Sequence, residues 1–305
     1  MARIIIGVDG SERSEDAIAF GGALARAGGA GVTVAHAYPW QHAGMVGTYE
    51  TNRFLLDDSK TMLAGMIKPL LDLPHLDVRS LSEPSAARAL QGVADELEAG
   101  LIVIGSSHHG RLGRVLPGST AERLLHGSPC PVAIVPNGYR DTERHDLQAI
   151  ACGWDGSLEA DAALAAAEEL ARRTSATLQI VRTFETPTYY AFPADLGMGY
   201  TESIKVARDA AQRTLDERVA RLPAEVHARG ELDEGLAVEA LIAASQDADL
   251  LILGSRGYGP LKAVLLGGVS AQVVREAACP VIVVPNGARR AMGSVVGATE
   301  TALAV

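Results

Sequence analysis

The 305-residue sequence is poor in cysteine, in aromatic side chains and in long apolar runs. Its three cysteines, an odd number without paired spacing, argue against a disulfide framework and favour buried thiols. No apolar run approaches the roughly 20 residues of a membrane-spanning helix. The apolar stretch after Arg3 is too short for the core of a signal peptide. These absences predict a cytoplasmic protein without a membrane partner.

Positive charge and metal-binding motifs are also scarce. The formal net charge is −10, and no basic run or aromatic platform offsets it. Nucleic-acid binding depends on neutralising phosphates with Lys and Arg, so we expect no nucleic-acid partner. HExxH, CxxC and EF-hand spacings are missing, and no metal site is predicted. A Walker A loop fits badly, because Arg111 and Leu112 follow Gly105 and Gly110 where Lys and Ser or Thr are needed.

What the chain does contain is an internal repeat. Residues 101–136 align with 250–285 without a gap, which pairs Gly105 with Gly254. The segments 3–10 and 149–156 align as well, at an offset three residues smaller. Self-similarity on this scale indicates duplicated domains. We predict one domain over residues 1–140, a second over 147–287, and a flexible tail over 288–305.

Each half alternates short apolar runs with helical spacing of apolar residues. This pattern is typical of parallel sheets with right-handed crossovers. The predicted fold is α/β: two tandem Rossmann-like domains, each a five-stranded parallel sheet of order 3-2-1-4-5 with helices on both faces. The predicted strands are 4–8, 32–38, 76–81, 101–105 and 132–136 in the first half, and 149–153, 177–183, 225–229, 250–254 and 281–285 in the second. A helix is predicted around residues 52–72.

In that strand order the ligand crevice lies between the first and fourth strands of each half. Asp9 and Gly105 end those strands in the first half, and Asp155 and Gly254 end them in the second. Amides of a glycine-rich turn and of a helix N-terminus can bind polyphosphate. Each aspartate could accept hydrogen bonds from an amino group or a ribose hydroxyl, or could simply form an Asp-Gly-Ser turn or cap a helix.

These residues resemble the universal stress proteins, specifically the tandem two-domain kind of actinobacteria. The nucleotide signature of that family is G-x-x-G, nine residues, then G-[ST]. Gly254, Gly257 and Gly267 match it in the second half, and Gly105, Gly118 and Ser119 match it in the first. The resemblance implies binding of ATP, alone or with Mg²⁺. It also implies dimer-like pairing through the fifth strands, in a homodimer or within the chain, and a regulatory role in stress or dormancy without defined catalysis.

The two halves depart from the signature at different positions. His108 replaces the second glycine of the first half, and Gly268 replaces the Ser or Thr of the second half, with Ser270 two residues on. We therefore expect two unequal sites, the second loop being closer to the pattern. The predicted ATP-binding residues are Asp9, Val34, Ile104, Gly105, His108, Gly118, Ser119, Thr120, Asp155, Ile180, Leu253, Gly254, Gly257, Gly267, Gly268 and Ser270.

Two alternatives remain open at this point. One is an interaction module of the same fold that binds no nucleotide, which the departures at His108 and Gly268 motivate. The other is an enzyme, either a weak ATP hydrolase or an adenylate-forming synthetase. The synthetase loop S-G-G-x-D-S is absent after the first strand, and no carboxylate cluster for Mg²⁺ is evident in the sequence.

Overall fold

The computed structural model describes residues 2–39, 48–107, 118–142, 146–185, 200–255 and 268–285. The strands of the first half are β1 (Arg3–Gly7), β2 (Gly31–Tyr38), β3 (Leu76–Ser82), β4 (Leu101–Gly105) and β5 (Val132–Val135). Those of the second half are β6 (Ala149–Gly153), β7 (Thr177–Phe184), β8 (Ala228–Glu234), β9 (Leu250–Gly254) and β10 (Val281–Val284). The helices are α1 (Glu12–Gly28), α2 (Thr48–Met66), α3 (Ala86–Glu96), α4 (Ser119–Gly127), α5 (Leu158–Thr174), α6 (Tyr200–Ala220), α7 (Ala237–Asp247) and α8 (Gly268–Glu276).

The strands form one mostly parallel ten-stranded sheet, rather than two sheets of five strands each. Its order is β3-β2-β1-β4-β5-β10-β9-β6-β7-β8. The halves join where β5 and β10 pair antiparallel, with Val281 opposite Ile134 and Ile282 opposite Ala133. Both strands are short and wholly buried. Each would otherwise expose an apolar sheet edge, and pairing them removes both edges from solvent.

Two apolar cores cover the two faces of the sheet. Successive strand residues alternate between them, so that Ile4 and Ile6 lie in one core and Ile5 in the other. Each core continues across both halves, because residues of β6 and β9 belong to the same clusters as residues of β1 and β4. Helices α1 and α5 are in contact on one face. The α/β fold class with helices on both faces is therefore confirmed.

Two element boundaries differ from the prediction. The edge strand β8 spans Ala228–Glu234, where residues 225–229 were expected. A turn precedes it, in which the Val226 amide donates to the Pro223 carbonyl at 3.0 Å, and the apolar Val226 is buried in that turn. Helix α2 ends at Met66, short of residue 72, because a 3₁₀ turn containing Pro69 follows.

The connector between the halves is anchored on α1 by a fully buried carboxylate. Asp16 accepts hydrogen bonds from the backbone amides of Gly138 (3.0 Å) and Arg140 (2.9 Å). Between them, the Tyr139 ring meets Phe20 edge to face at 5.6 Å. The segment that leaves the first half is thus fixed to the helix that follows β1. The predicted tail, 288–305, lies outside the described residues.

Candidate functional site

Two equivalent cavities lie at the carboxyl ends of the strands, one in each half. The first has a volume of about 390 Å³ and lies where β1 and β4 end, between Asp9 and the start of α4. The second has about 370 Å³ and lies where β6 and β9 end, between Asp155 and the start of α8. Both volumes are within the range of small-molecule pockets, about 300–1,000 Å³. Both cavities lie at the point where the strand order reverses, between β1 and β4 in the first half and between β6 and β9 in the second.

In the first cavity, Asp9 holds the turn that leads from β1 into α1. Its Oδ1 accepts hydrogen bonds from the Ser11 amide (3.0 Å), the Ser11 hydroxyl and the Ser14 hydroxyl (2.8 Å). The backbone amide of Asp9 donates in turn to Ser14 Oγ at 2.8 Å. Gly10 makes the turn possible, because its φ of +81° is rarely adopted by other residues. The turn-forming role expected for Asp9 is therefore present, and it engages one carboxylate oxygen.

These contacts also set the protonation state of Asp9. Desolvation by the surrounding protein acts to raise its pKa. Hydrogen bonds from Ser11 and Ser14, together with the positive charge of Arg13, outweigh this effect and hold the pKa below its ordinary value. Asp9 is accordingly ionised near neutral pH, and acts as an acceptor toward amino or hydroxyl groups in the cavity.

The matching turn of the second half is similar, with one hydroxyl residue of the first half replaced by alanine. Asp155 Oδ1 accepts from the Ser157 amide at 2.9 Å, and Gly156 has a φ of +83°. Ser157 caps α5 by accepting from the Ala160 amide at 3.2 Å. Ala160 occupies the position that Ser14 has in the first half, so the second turn lacks that hydroxyl donor.

The strand-end glycines are required by packing. A Cβ on Gly105 would overlap the carbonyl oxygen of Arg13 and lie 2.9 Å from its carbonyl carbon. A Cβ on Gly254 would lie 2.6 Å from both the carbonyl carbon and oxygen of Glu159. In both halves the end of the fourth strand thus meets the backbone of the first helical turn. Gly105 and Gly254 would be needed here even without a ligand.

Helix N-termini form the opposite wall of both cavities. Gly118, Ser119 and Thr120 line the first, at the start of α4. The second cavity has Gly268, Val269 and Ser270 at the start of α8. The Ser270 hydroxyl donates to the Gly254 carbonyl at 3.0 Å and is buried. The hydroxyl hydrogen of Ser270 is therefore engaged within the protein.

The strand residues expected at the cavities need one correction. Ile104 and Leu253 do line them. The side chains of Val34 and Ile180 do not, because they are fully buried in the core on the opposite face of the sheet. Their neighbours Ala35 and Val181 line the cavities instead. In a strand one residue exchanges the two faces, so the side chains next to the predicted ones line the cavities, while ligand binding by Val34 or Ile180 stays a prediction. His108, Gly257 and Gly267 lie outside the described residues.

Sequence reasoning missed several lining residues of the first cavity. Arg13, Ser14, Ser107 and Leu90 all contribute to its wall. Arg13 and Ser14 lie in the first turn of α1, four and five positions after Asp9. That spacing brings these helix residues back over the end of β1, and it could have identified them from the sequence.

His36 lies on the other face of β2, behind the first cavity. Its Nδ1 is 2.8 Å from Ser59 Oγ, which donates to Ser80 Oγ at 2.9 Å. Burial lowers the pKa of His36, while the negative charges of Asp9 and Asp58 act against that shift. The histidine is therefore neutral at pH 7 and belongs to a buried polar chain, consistent with the position that the strand pattern predicts.

Within the described ranges, no group of three or more His, Cys, Asp or Glu side chains is arranged to hold a metal ion. All three cysteines are free and buried, and burial raises the pKa of Cys152 to about 12. None of the helices that the structure describes is both long and apolar enough to cross a membrane.

Comparison with known proteins gives consistent matches over both halves. The family model of the universal stress protein family matches residues 1–136 and 147–285. A universal stress protein of Mycobacterium tuberculosis is 35% identical over 231 residues, which cover 72% of this chain and 76% of that protein. A second one from the same organism is 28% identical over 296 residues, covering 92% and 96%.

Solved structures agree on the fold. The crystal structure of a universal stress protein from Archaeoglobus fulgidus superimposes with a TM-score of 0.65 at 19% identity. The match covers 93% of this chain and 98% of that one. At this identity the similarity concerns the architecture alone.

Proposed function

The chain belongs to the universal stress protein family, and from this premise we propose that it is an ATP-binding regulatory protein. The recognition of the family from the sequence is confirmed. Binding of ATP, the regulatory role in stress or dormancy, and the absence of defined catalysis are our proposal.

The observation that carries the proposal is one cavity, repeated in both halves, with an aspartate on one side and a helix N-terminus on the other. In the first half an ionised carboxylate, Asp9, lies on one side, and the N-terminus of α4 with Ser119 and Thr120 lies on the other. A carboxylate can accept hydrogen bonds from an adenine amino group or a ribose hydroxyl. Backbone amides at a helix N-terminus favour phosphate oxygens. The two features suit the opposite ends of one nucleotide.

The fit extends to the walls between these ends. Ala35, Leu90 and Ile104 give the first cavity an apolar lining suited to a purine ring. If Mg²⁺ accompanies ATP, we expect the phosphates to supply its ligands. This follows because the described part of the chain has no carboxylate cluster for a metal.

A regulatory role is supported by the position of α1. The same helix carries Arg13 and Ser14 at the cavity and Asp16 at the connector. A ligand that orders the first turn of α1 would therefore act on the segment that joins the halves. We propose that occupancy of the first cavity stabilises the connector and, with it, one arrangement of the two halves.

The pairing of the fifth strands of the two halves determines which sheet edge is left for a dimer contact. Because β5 and β10 pair with each other, the sheet edge that dimer-like pairing would use is already occupied within the chain. We propose that the internal pair takes the place of a homodimer contact at this edge. Light scattering should then report the mass of one chain, and a homodimer through the fifth strands would require this pair to open.

The direct experiment combines nucleotide release with calorimetry. Protein purified without added nucleotide is heat-denatured, and the released nucleotide is identified by chromatography. ATP is then titrated into refolded or nucleotide-stripped protein and into an Asp9→Asn variant. Asp247→Asn is the matched control, since Asp247 is exposed at the opposite, amino end of the strands. We expect Asp9→Asn to weaken binding about tenfold and the control to have no effect. Absence of both released nucleotide and binding heat would contradict the proposal.

A second candidate is an interaction module that binds no nucleotide. The packing role of Gly105 and Gly254 favours it, because these glycines need no ligand to explain them. This candidate predicts that the purified protein releases no nucleotide and that ATP gives no binding heat. A hydrolase would be indicated by ATP turnover that Asp155→Ala abolishes while ATP affinity is retained.

A further inference from the structure

One equivalent position, next to the cavity turn of each half, carries opposite charges in the two halves. Asp9 matches Asp155 and Ser11 matches Ser157, and at the same offset Arg13 matches Glu159. The structure supports this equivalence, because the backbone of Arg13 packs against Gly105 and that of Glu159 packs against Gly254. A cation in the first helical turn of the first half is thus an anion in the second.

Charge at this position reaches the cavity. Arg13 lines the first cavity, and its positive charge helps to lower the pKa of Asp9. Among the residues that the structure describes, the lining of the second cavity includes no basic side chain, and its acidic member is Asp155. The first cavity therefore offers a cation to balance phosphate, whereas the second has Asp155 and the adjacent Glu159.

At the helix start the supply of hydroxyl donors follows the same direction, while Ser157 and Thr183 provide hydroxyl groups elsewhere in the second cavity. Helix α4 begins with Ser119 and Thr120, and Ser106 and Ser107 also line the first cavity. Helix α8 begins with Gly268 and Val269, and the hydroxyl of Ser270 is bonded to the Gly254 carbonyl. Charge-assisted hydrogen bonds to phosphate are among the stronger polar contacts, so their loss in the second cavity matters for anions above all.

Apolar side chains are larger in the second cavity. Val181 replaces Ala35, and Trp154 replaces Val8 at the end of the first strand. The walls of the second cavity retain what a ring system needs, and Asp155 retains an acceptor for an amino or hydroxyl group. Compared with the first cavity, the described lining of the second lacks a basic side chain and the two hydroxyl groups at the helix start, while the backbone amides at the start of α8 remain.

We propose that the two cavities select ligands by charge: the first takes a nucleoside polyphosphate, and the second takes an uncharged or weakly charged compound of similar shape, such as a nucleoside. The proposal rests on the nucleotide binding proposed above and reverses the expectation that the second half is the better ATP site. One chain would then respond to two ligands that share a base and differ in phosphate content.

The test is a pair of charge reversals, Arg13→Glu and Glu159→Arg. Titration calorimetry at low ionic strength and without Mg²⁺ compares ATP with adenosine for each protein. Arg229→Glu is the matched control, since Arg229 is exposed on the edge strand β8, away from both cavities. A unit charge about 10 Å away in water changes affinity about twofold for each unit of ligand charge. A reversal acting on a multiply charged ligand should therefore shift affinity about tenfold after salt screening.

For the unaltered chain we expect one molecule of ATP to bind tightly. We also expect one molecule of adenosine to bind at a separate site, from which ATP does not displace it. Arg13→Glu should weaken ATP about tenfold and leave adenosine within about twofold. Glu159→Arg should add a second ATP per chain. Retained adenosine binding shows that each variant is folded. Two equal ATP sites that neither reversal alters would overturn the charge selection and leave ATP binding standing. No ATP binding by any protein would instead refute the proposed function, and the selection with it.

Discussion

The packing account of the strand-end glycines predicts a large loss of stability from one added methyl group. Gly105→Ala would place a Cβ against the carbonyl group of Arg13, and both neighbours are backbone atoms that cannot rotate away. Overpacking against movable side chains costs about 1–3 kcal/mol, and a backbone obstacle should reach the upper end, about 3 kcal/mol. For a 305-residue chain that unfolds as one unit, that is a fall of roughly 5 °C in melting temperature. Calorimetry or urea unfolding without nucleotide measures it.

The matched control is Gly92→Ala in the exposed part of α3. A Cβ there meets nothing within 4 Å, and alanine favours helix over glycine by about 0.5–1 kcal/mol. The control should therefore stabilise the protein slightly. If the Gly105→Ala variant unfolds at the same temperature as the unaltered chain, the close packing of β4 against α1 is contradicted. The glycine would then have to be explained by ligand binding.

Three further predictions concern the groups around the first cavity. Asp16→Ala leaves two backbone amides of the connector without their acceptor, and each costs roughly 1–3 kcal/mol. Unfolding in urea should therefore show a loss of about 3 kcal/mol in the free energy of unfolding. An unchanged urea midpoint would contradict the anchoring of the connector by Asp16. Ser14→Ala removes a donor to Asp9, and the pKa of Asp9 followed by NMR should rise, whereas a fall or no change would argue against that hydrogen bond. The pKa of His36 is lower in the folded chain than in the unfolded one, so the unfolded chain takes up more protons and stability should fall as pH drops below about 6.5. His36→Gln should flatten that pH dependence in thermal melts between pH 7 and 5, and an unaltered slope would assign it to other groups.

Much of the fold could be predicted because buried parallel strands are continuous apolar runs. The segments around Ile5 and Ile102 have this form, and Asp9 and Gly105 mark the ends at which the chain leaves the sheet. Duplication added a check, since each strand of one half has a counterpart in the other. The carboxyl ends of the strands then indicated where a ligand would lie.

The errors have physical causes in the same elements. Both faces of β2 are buried around Val34, and the adjacent Ile180 and Val181 of β7 are both buried, so neighbouring apolar residues do not show which side chain faces the cavity. The edge strand β8 has few apolar residues, and the buried Val226 belongs to the turn before it. The contact of Asp16 with the connector joins residues more than 120 positions apart, which no local pattern indicates.

The signature predicted two unequal sites, and glycine spacing was the reason for placing the second loop closer to the ATP-binding pattern. Arg13 and Glu159 lie outside the signature, and their importance follows from the geometry of the first helical turn. Glycines govern how closely the backbone can approach, whereas charge governs which anion is held. On this ground we propose that the first half, rather than the second, holds the preferred polyphosphate site.

The measurement that tests the central claim most directly is the stoichiometry of ATP binding to nucleotide-free protein by titration calorimetry, in parallel with the Asp9→Asn variant. The account predicts one ATP bound tightly per chain, with affinity reduced about tenfold by the substitution. No binding heat, or tight binding that Asp9→Asn leaves unchanged, would contradict it.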